Sequence, residues 1–186
     1  MKLWPAIAVG GMVWWAGAAT PYDWKLPRGF PMPRVPADNP MSDAKVRLGR
    51  YLFYDKRMSV NGTMSCASCH RQELAFSDNR QRPVGATGQM LPRSSMSLVN
   101  VAYGAVLTWS RPHVRSLEQQ LMVPLLTGTP VELGLRSGTA QFLAELRQDS
   151  TYRSLFPQAF PGQRNPFTIA NVASKTRSRI RPSAAK

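Results

Sequence analysis

The chain has 186 residues, 43% hydrophobic and 18% charged, which suits one globular domain with terminal extensions and excludes a wholly disordered chain. Its formal charge of +14 raises nucleic acid as a partner, but Lys175, Arg177, Arg179, Arg181 and Lys186 crowd into an acid-free end, and removing those five and Lys2 leaves +8 for residues 3–172. There the cations are scattered with no aromatic-interleaved basic stripe, which argues against nucleic acid and points to an acidic protein as partner.

In chain order, residues 1–19 place Lys2 before an apolar run from Leu3 to Trp15, followed by the small residues Ala16, Gly17 and Ala18. This is the plan of a secretory signal peptide cut after Ala18 or Ala19, with an uncleaved anchor as the alternative. The run is shorter than the ~20 apolar residues that a spanning helix needs, and it contains Pro5. No later segment is apolar enough to span, so the mature chain is expected to be soluble and periplasmic or secreted. Residues 20–42 carry Pro21, Pro27, Pro31, Pro33, Pro36 and Pro40, which predicts an extended strap rather than helix. From Asp43 the pattern turns helical: Val46, Leu48, Leu52 and Phe53 fall near one face, and Ser42 is placed to cap the N-terminus. A turn is predicted at Asn61-Gly62.

Next comes Cys66-Ala67-Ser68-Cys69-His70, which holds both cysteines and one of the two histidines of the chain. In an exported protein this spacing could serve a disulfide, a redox dithiol, half a zinc site or a haem attachment. Zinc wants four ligands, or three and a water, and only His113 and scattered carboxylates remain to complete the set. A thioredoxin-like dithiol wants a βαβ pattern that the helix and loop flanks do not offer. Covalent haem uses every residue of the motif: one helical turn presents two thiols to the porphyrin vinyl groups, and the adjacent imidazole lies beneath the iron. The sixth position is open to Met90, Met96 or Met122 in an electron carrier, or stays free in an enzyme that binds peroxide. His113, beside Pro112 in WSRPHVR, reads as a surface or supporting histidine rather than a ligand.

From Asp43 to Val172 the chain resembles the bacterial di-haem cytochrome c peroxidases and, more closely, the MauG-like di-haem enzymes of the MbnH type, in which a tryptophan of a copper-associated partner protein is oxidised. The stretches that carry the resemblance are LGRYLFYDKRMSVNGTMSCASCH, FSD at residues 76–78, PRSSMSLVNVAY at residues 92–103 and LTWSRPHVRSLEQQLMVPLLTGTPVELG at residues 107–134. It implies a mainly α, cytochrome c-like haem domain with long loops over residues 43–164, holding one covalent haem c through Cys66 and Cys69 with His70 on the iron. It further implies Trp109 as an electron or hole carrier, Gln120 and Glu132 as distal-pocket groups and Pro124 as the proline shaping that pocket. Glu132 sits in TPVELGL, where burial would raise its pKa toward a range useful for moving the proton of hydrogen peroxide. The implied partners are hydrogen peroxide and a protein electron donor or protein substrate.

Some positions depart from the family pattern. The loop VGATGQMLPR lacks the distal histidine of the bis-His peroxidases, which favours the open MauG-like site. Ser94 follows Arg93 where the family has an asparagine, and Asn100 matches a different position, which puts calcium binding in question. Residues 165–186 begin as NPFTIANV, like a helix leading to a second haem domain, and then become uniformly basic. The tail reads as a truncated or frame-shifted product, with a natural basic tail as the alternative. The competing readings of the whole chain are a mono-haem electron-transfer cytochrome and an inactive fragment.

Overall fold

In a computed structural model, residues 22–176 are described; the residues assigned to the signal peptide and most of the basic tail lie outside them. Among the described residues the secondary structure is six α-helices, three short 3-10 turns and isolated bridges, in agreement with a mainly α domain with long loops. The helices are α1 (Asp43–Tyr54), α2 (Cys66–Cys69), α3 (Leu117–Leu126), α4 (Thr139–Gln148), α5 (Ser150–Ala159) and α6 (Ile169–Thr176). None of them is long and apolar enough to cross a membrane.

Helix α1 starts where the sequence predicts. Ser42 Oγ accepts from the Lys45 N–H at 3.2 Å, and Asp43 places negative charge in the first turn. Its inner face buries Val46, Leu48, Gly49, Leu52 and Phe53, while Arg47, Arg50, Tyr51 and Tyr54 form an exposed outer stripe at helical spacing. Burial of side chains of this size stabilises the fold by roughly 1.5–3 kcal/mol each. Helices α5 and α6 pack on α1, α6 also packs on α3, and α4 packs on α5. Phe156 lies at the centre of this cluster with its ring stacked 4.4 Å from that of Phe167, and α6 contributes the fully buried Val172.

A polar clamp joins the end of α1 to the start of α5. Asp149 Oδ1 caps α5 by accepting from the N–H groups of Thr151 and Tyr152 at 2.9 and 3.3 Å. Arg57 bridges Asp55 at 2.7 Å and Asp149 at 3.1 Å, and the buried Tyr152 hydroxyl donates to Asp55 Oδ2 at 2.7 Å. The carboxylates beside Arg57 strengthen its hold on its proton, and burial followed by Asp55 raises the Tyr152 phenol, so Tyr152 stays a neutral donor.

The proline-rich segment from Tyr22 to Ser42 contains no helix. Tyr103 Oη ties it down by donating to the Pro31 carbonyl at 2.8 Å, and Asn39 Nδ2 donates to Glu118 Oε1 at 3.1 Å and to the Ser174 carbonyl at 3.3 Å. The strap thereby touches both α3 and α6.

Candidate functional site

Two walls of different origin enclose the site. The first is α2 and the loop after it. Ser65 N–H donates to Ser68 Oγ at 3.0 Å, the His70 N–H donates back to the Cys66 carbonyl at 3.0 Å, and the single turn between them carries both cysteines. Both are free thiols, Cys66 buried and Cys69 half-buried. Burial pushes the Cys66 thiol to about 12, and burial with the nearby Asp78 and Glu132 carboxylates pushes Cys69 to about 11. Both groups are therefore neutral thiols at neutral pH.

His70 is oriented by main chain. Ala75 and Phe76 both take left-handed conformations, with φ of 54° and 55°, and the reversed turn aims the Phe76 carbonyl at His70 Nδ1, 2.9 Å away. A carbonyl only accepts, so Nδ1 carries the proton and Nε2 keeps its lone pair for a metal. Burial lowers the pKa of this imidazole, and the Phe76 carbonyl, Asp78 and the Met96 backbone partly offset that, which keeps the ring in the neutral form that ligates.

The second wall is α3 and the loop after it. Ser116 Oγ caps α3 by accepting from the Gln119 N–H at 3.2 Å, and Leu117, Gln120, Leu121 and Pro124 then recur on one face. The Leu133 N–H donates to the Pro124 carbonyl at 2.9 Å and the Leu135 N–H to that of Leu125 at 2.7 Å, folding the 131–135 segment back along the helix end. From the other side the Ala86 N–H donates to the Glu132 carbonyl at 2.7 Å. That approach requires glycine at position 85, because a Cβ there would lie 2.0 Å from the Val131 carbonyl oxygen. Glu132 is held from both sides, and burial raises its pKa above the ordinary carboxylate value while Arg111 partly opposes the rise.

Between the walls lies a cavity of about 310 Å³, within the range of cofactor pockets. Cys66, Cys69, His70, Trp109, Gln120, Pro124 and Glu132 all line it. Gln120 Oε1 is buried with no hydrogen-bond partner, an acceptor left open toward whatever fills the space. Met96 also lines the cavity, whereas Met122 does not, Met90 is 54% exposed and His113 is an exposed loop residue. Trp109 is 56% exposed and donates from Nε1 to the Ser94 carbonyl at 2.8 Å, so it is not a core indole.

Two contributors were missed in the sequence. The role of the Phe76 carbonyl is invisible in the letters FSD because it depends on backbone conformation. Arg111, a cavity-lining cation that bears on Glu132, stood in a quoted motif without a signal to set it apart. Among the described residues no group of three or more His, Cys, Asp and Glu side chains gathers to hold a metal ion. Haem does fit the donor set: two thiols one turn apart, an adjacent imidazole held through Nδ1, and apolar walls from Phe53, Leu98, Leu121 and Leu133.

Comparisons with known proteins agree with this geometry. The family model of the di-haem cytochrome c peroxidases matches residues 43–178. The methylamine utilization protein MauG of Methylophilus methylotrophus is 31% identical over 154 residues, covering 83% of this chain and 44% of that protein. The cytochrome-c peroxidase IdrP1 of Denitromonas iodatirespirans is 42% identical over 117 residues, covering 62% of this chain and 31% of that protein. Among solved structures, a MauG-like protein associated with microbial copper homeostasis superposes with a TM-score of 0.83 at 42% identity, over 87% of this chain and 46% of the other. The chain thus spans less than half the length of these relatives. The chain belongs to the di-haem cytochrome c peroxidase family in its MauG-like form, whose members bind c-type haem.

Proposed function

We propose that this chain is an exported, peroxide-using c-type haem oxidoreductase unit, corresponding to the N-terminal haem domain of a MauG-like enzyme. One observation carries the reading: the haem-attachment residues share a single cavity with Gln120, Pro124, Glu132 and Trp109. Cys66 and Cys69 would hold one haem c by thioether bonds, with His70 Nε2 as the iron ligand. When bound, the haem supplies an iron centre able to take two oxidising equivalents from hydrogen peroxide.

The surrounding residues then have distinct tasks. Glu132 takes a proton from one peroxide oxygen and returns it to the other, which leaves as water; its raised pKa suits a group that must both accept and release. Gln120 fixes the orientation of the peroxide through its side-chain amide, and Pro124 limits the room beside it. Trp109, half in the cavity and half at the surface, passes oxidising equivalents outward to a protein electron donor or protein substrate. Ser94, whose carbonyl is engaged by Trp109, leaves no carboxamide for calcium at the family position. Residues 1–19 serve as the export signal to the periplasm, and residues 43–164 carry the haem with α6 completing the core.

The test is to mix the haem-loaded ferric chain with hydrogen peroxide and follow the optical spectrum. A high-spin spectrum that changes within seconds supports the enzyme. A low-spin His/Met spectrum inert to peroxide overturns it in favour of an electron carrier, for which Met96 is the cavity-lining candidate ligand.

A further inference from the structure

We propose that Asp78, a buried carboxylate standing opposite His70, is a positioning residue of the haem site that lowers its reduction potential and so keeps the iron ferric. The proposal rests on the haem reading above and not on the peroxide reaction. Among the described residues the buried polar ones are Ser59, Ser65, Asp78 and Thr108, and of these only Asp78 is acidic or basic. Its Oδ1 accepts from the Arg80 N–H at 3.2 Å, and no ion pair among the described residues neutralises it, although the chain has cations to spare. Burying a carboxylate without an ion pair opposes folding, so the charge at this position calls for a use.

The backbone sets where that charge lies. After His70 the chain reverses through the left-handed pair Ala75 and Phe76, and Arg71 and Ser77 then form an antiparallel bridge. The Arg71 N–H donates to the Ser77 carbonyl at 3.0 Å, and the Phe76 N–H donates to the Arg71 carbonyl at 2.8 Å. In that register the next pair outward is His70 with Asp78, and residues opposite one another across an antiparallel pair carry their side chains on the same face. The field of the carboxylate reaches both neighbours, raising the Cys69 thiol and the His70 imidazole alike. Arg80 opposes it at Cys69, but Arg80 is exposed and screened by water.

Asp78 acts through space. The hydrogen bond of His70 Nδ1 goes to the Phe76 carbonyl, so the carboxylate bears on the ligand set by its charge. A fixed anion beside a metal site favours the oxidation state with the more positive metal, which here is ferric over ferrous iron. The cations of a chain with a formal charge of +14 push the other way, and a buried anion next to the ligand outweighs exposed charges that water screens. Ferric iron is also the form that meets peroxide in the function proposed above, so the same charge would hold the site ready for it.

The experiment is a spectroscopic redox titration of the haem-loaded chain, in which a chemical mediator supplies the electron. D78N should raise the ferrous-to-ferric ratio at a fixed applied potential by about tenfold, which is about 59 mV for one electron, with the ferric spectrum unchanged. D78E restores the charge and should bring the ratio back to within about twofold of the wild-type chain. E73Q removes a carboxylate that is nearer to His70 in sequence but exposed and paired with Arg71, and it should also stay within about twofold. Should D78N fail to fold, D78S keeps an oxygen for the Arg80 N–H and should raise the ratio in the same direction. A ratio within about twofold of wild type in D78N or D78S, or a rise in D78E or E73Q equal to that in D78N, would overturn the proposal. Loss of haem from both neutral variants would do so too, by making Asp78 a structural residue. A wild-type chain with no covalent haem on a denaturing gel would end the haem reading together with this one, whereas a haem-loaded chain indifferent to D78N ends this one alone.

Discussion

The two walls of the cavity reach similar order by opposite means. On the α2 side the groups are brought together locally: both thiols lie on one turn, and the carbonyl that orients His70 is six residues away. On the α3 side Glu132 is positioned by Pro124 through Leu133 and by Ala86 from across the molecule. Residues close in sequence stay near one another when a distant loop shifts, whereas a wall built from residues far apart in sequence depends on each of its long-range contacts. The contrast predicts that haem attachment tolerates damage to the distal loop, while the chemistry attributed to that loop does not.

The strongest way to break the comparison is at the local wall. The double substitution C66A/C69A should abolish covalent haem, read as complete loss of the haem band on a denaturing gel, whatever the state of the distal loop. On the other wall, Glu132→Gln should slow the reaction with peroxide by roughly 10² to 10⁴ fold while the haem band stays intact; an unchanged rate in stopped flow would remove Glu132 from proton transfer. The pH dependence follows from the same residue. To accept the first proton Glu132 must be ionised, and burial raises its pKa, so the rate should fall by about tenfold per pH unit below that raised value. The acid limb should begin above the pH at which an ordinary glutamate titrates, and it should vanish in Glu132→Gln.

Gly85→Ala sharpens the distinction, because it touches no catalytic group. The new Cβ would meet the Val131 carbonyl, which lies 2.0 Å from the position it must take, and the loop must shift at a cost of about 1–3 kcal/mol. A lower melting temperature and a slower peroxide reaction, with full haem attachment, are the expected result. The smallest effect is expected at the clamp between α1 and α5, which lines neither wall of the cavity. Tyr152→Phe removes the 2.7 Å hydrogen bond to Asp55, which keeps Arg57 as its partner. A loss of about 1 kcal/mol, read as a drop of about 2–4 °C in Tm, should leave the peroxide reaction untouched.

What could be read from the sequence divides along the same line. The opening of α1 at Asp43, its Ser42 cap, its buried face and the single-turn geometry of the cysteines follow from periodicity and spacing, which are local properties. Gln120 and Pro124 are four apart on α3 and could be placed on one face, but nothing in their spacing says that this face meets His70. Glu132 was singled out through resemblance, since its burial depends on contacts with residues 85–89 and with the end of α3. Trp109 shows the reverse: composition alone would bury an indole, and here it lies at the surface. Helix α6 opens within a stretch that reads as the approach to a further domain, yet it folds back and buries Val172 against α1 and α3.

The acceptor that holds His70 is a main-chain carbonyl and not a carboxylate, and this limits how the site can be tuned. A carbonyl cannot remove the Nδ1 proton, so the imidazole is denied the anionic character that an aspartate in that place would encourage. Nor can a side-chain exchange delete the interaction, because the oxygen belongs to the backbone. The orientation of this imidazole therefore depends on the left-handed pair Ala75 and Phe76, which present that carbonyl to it.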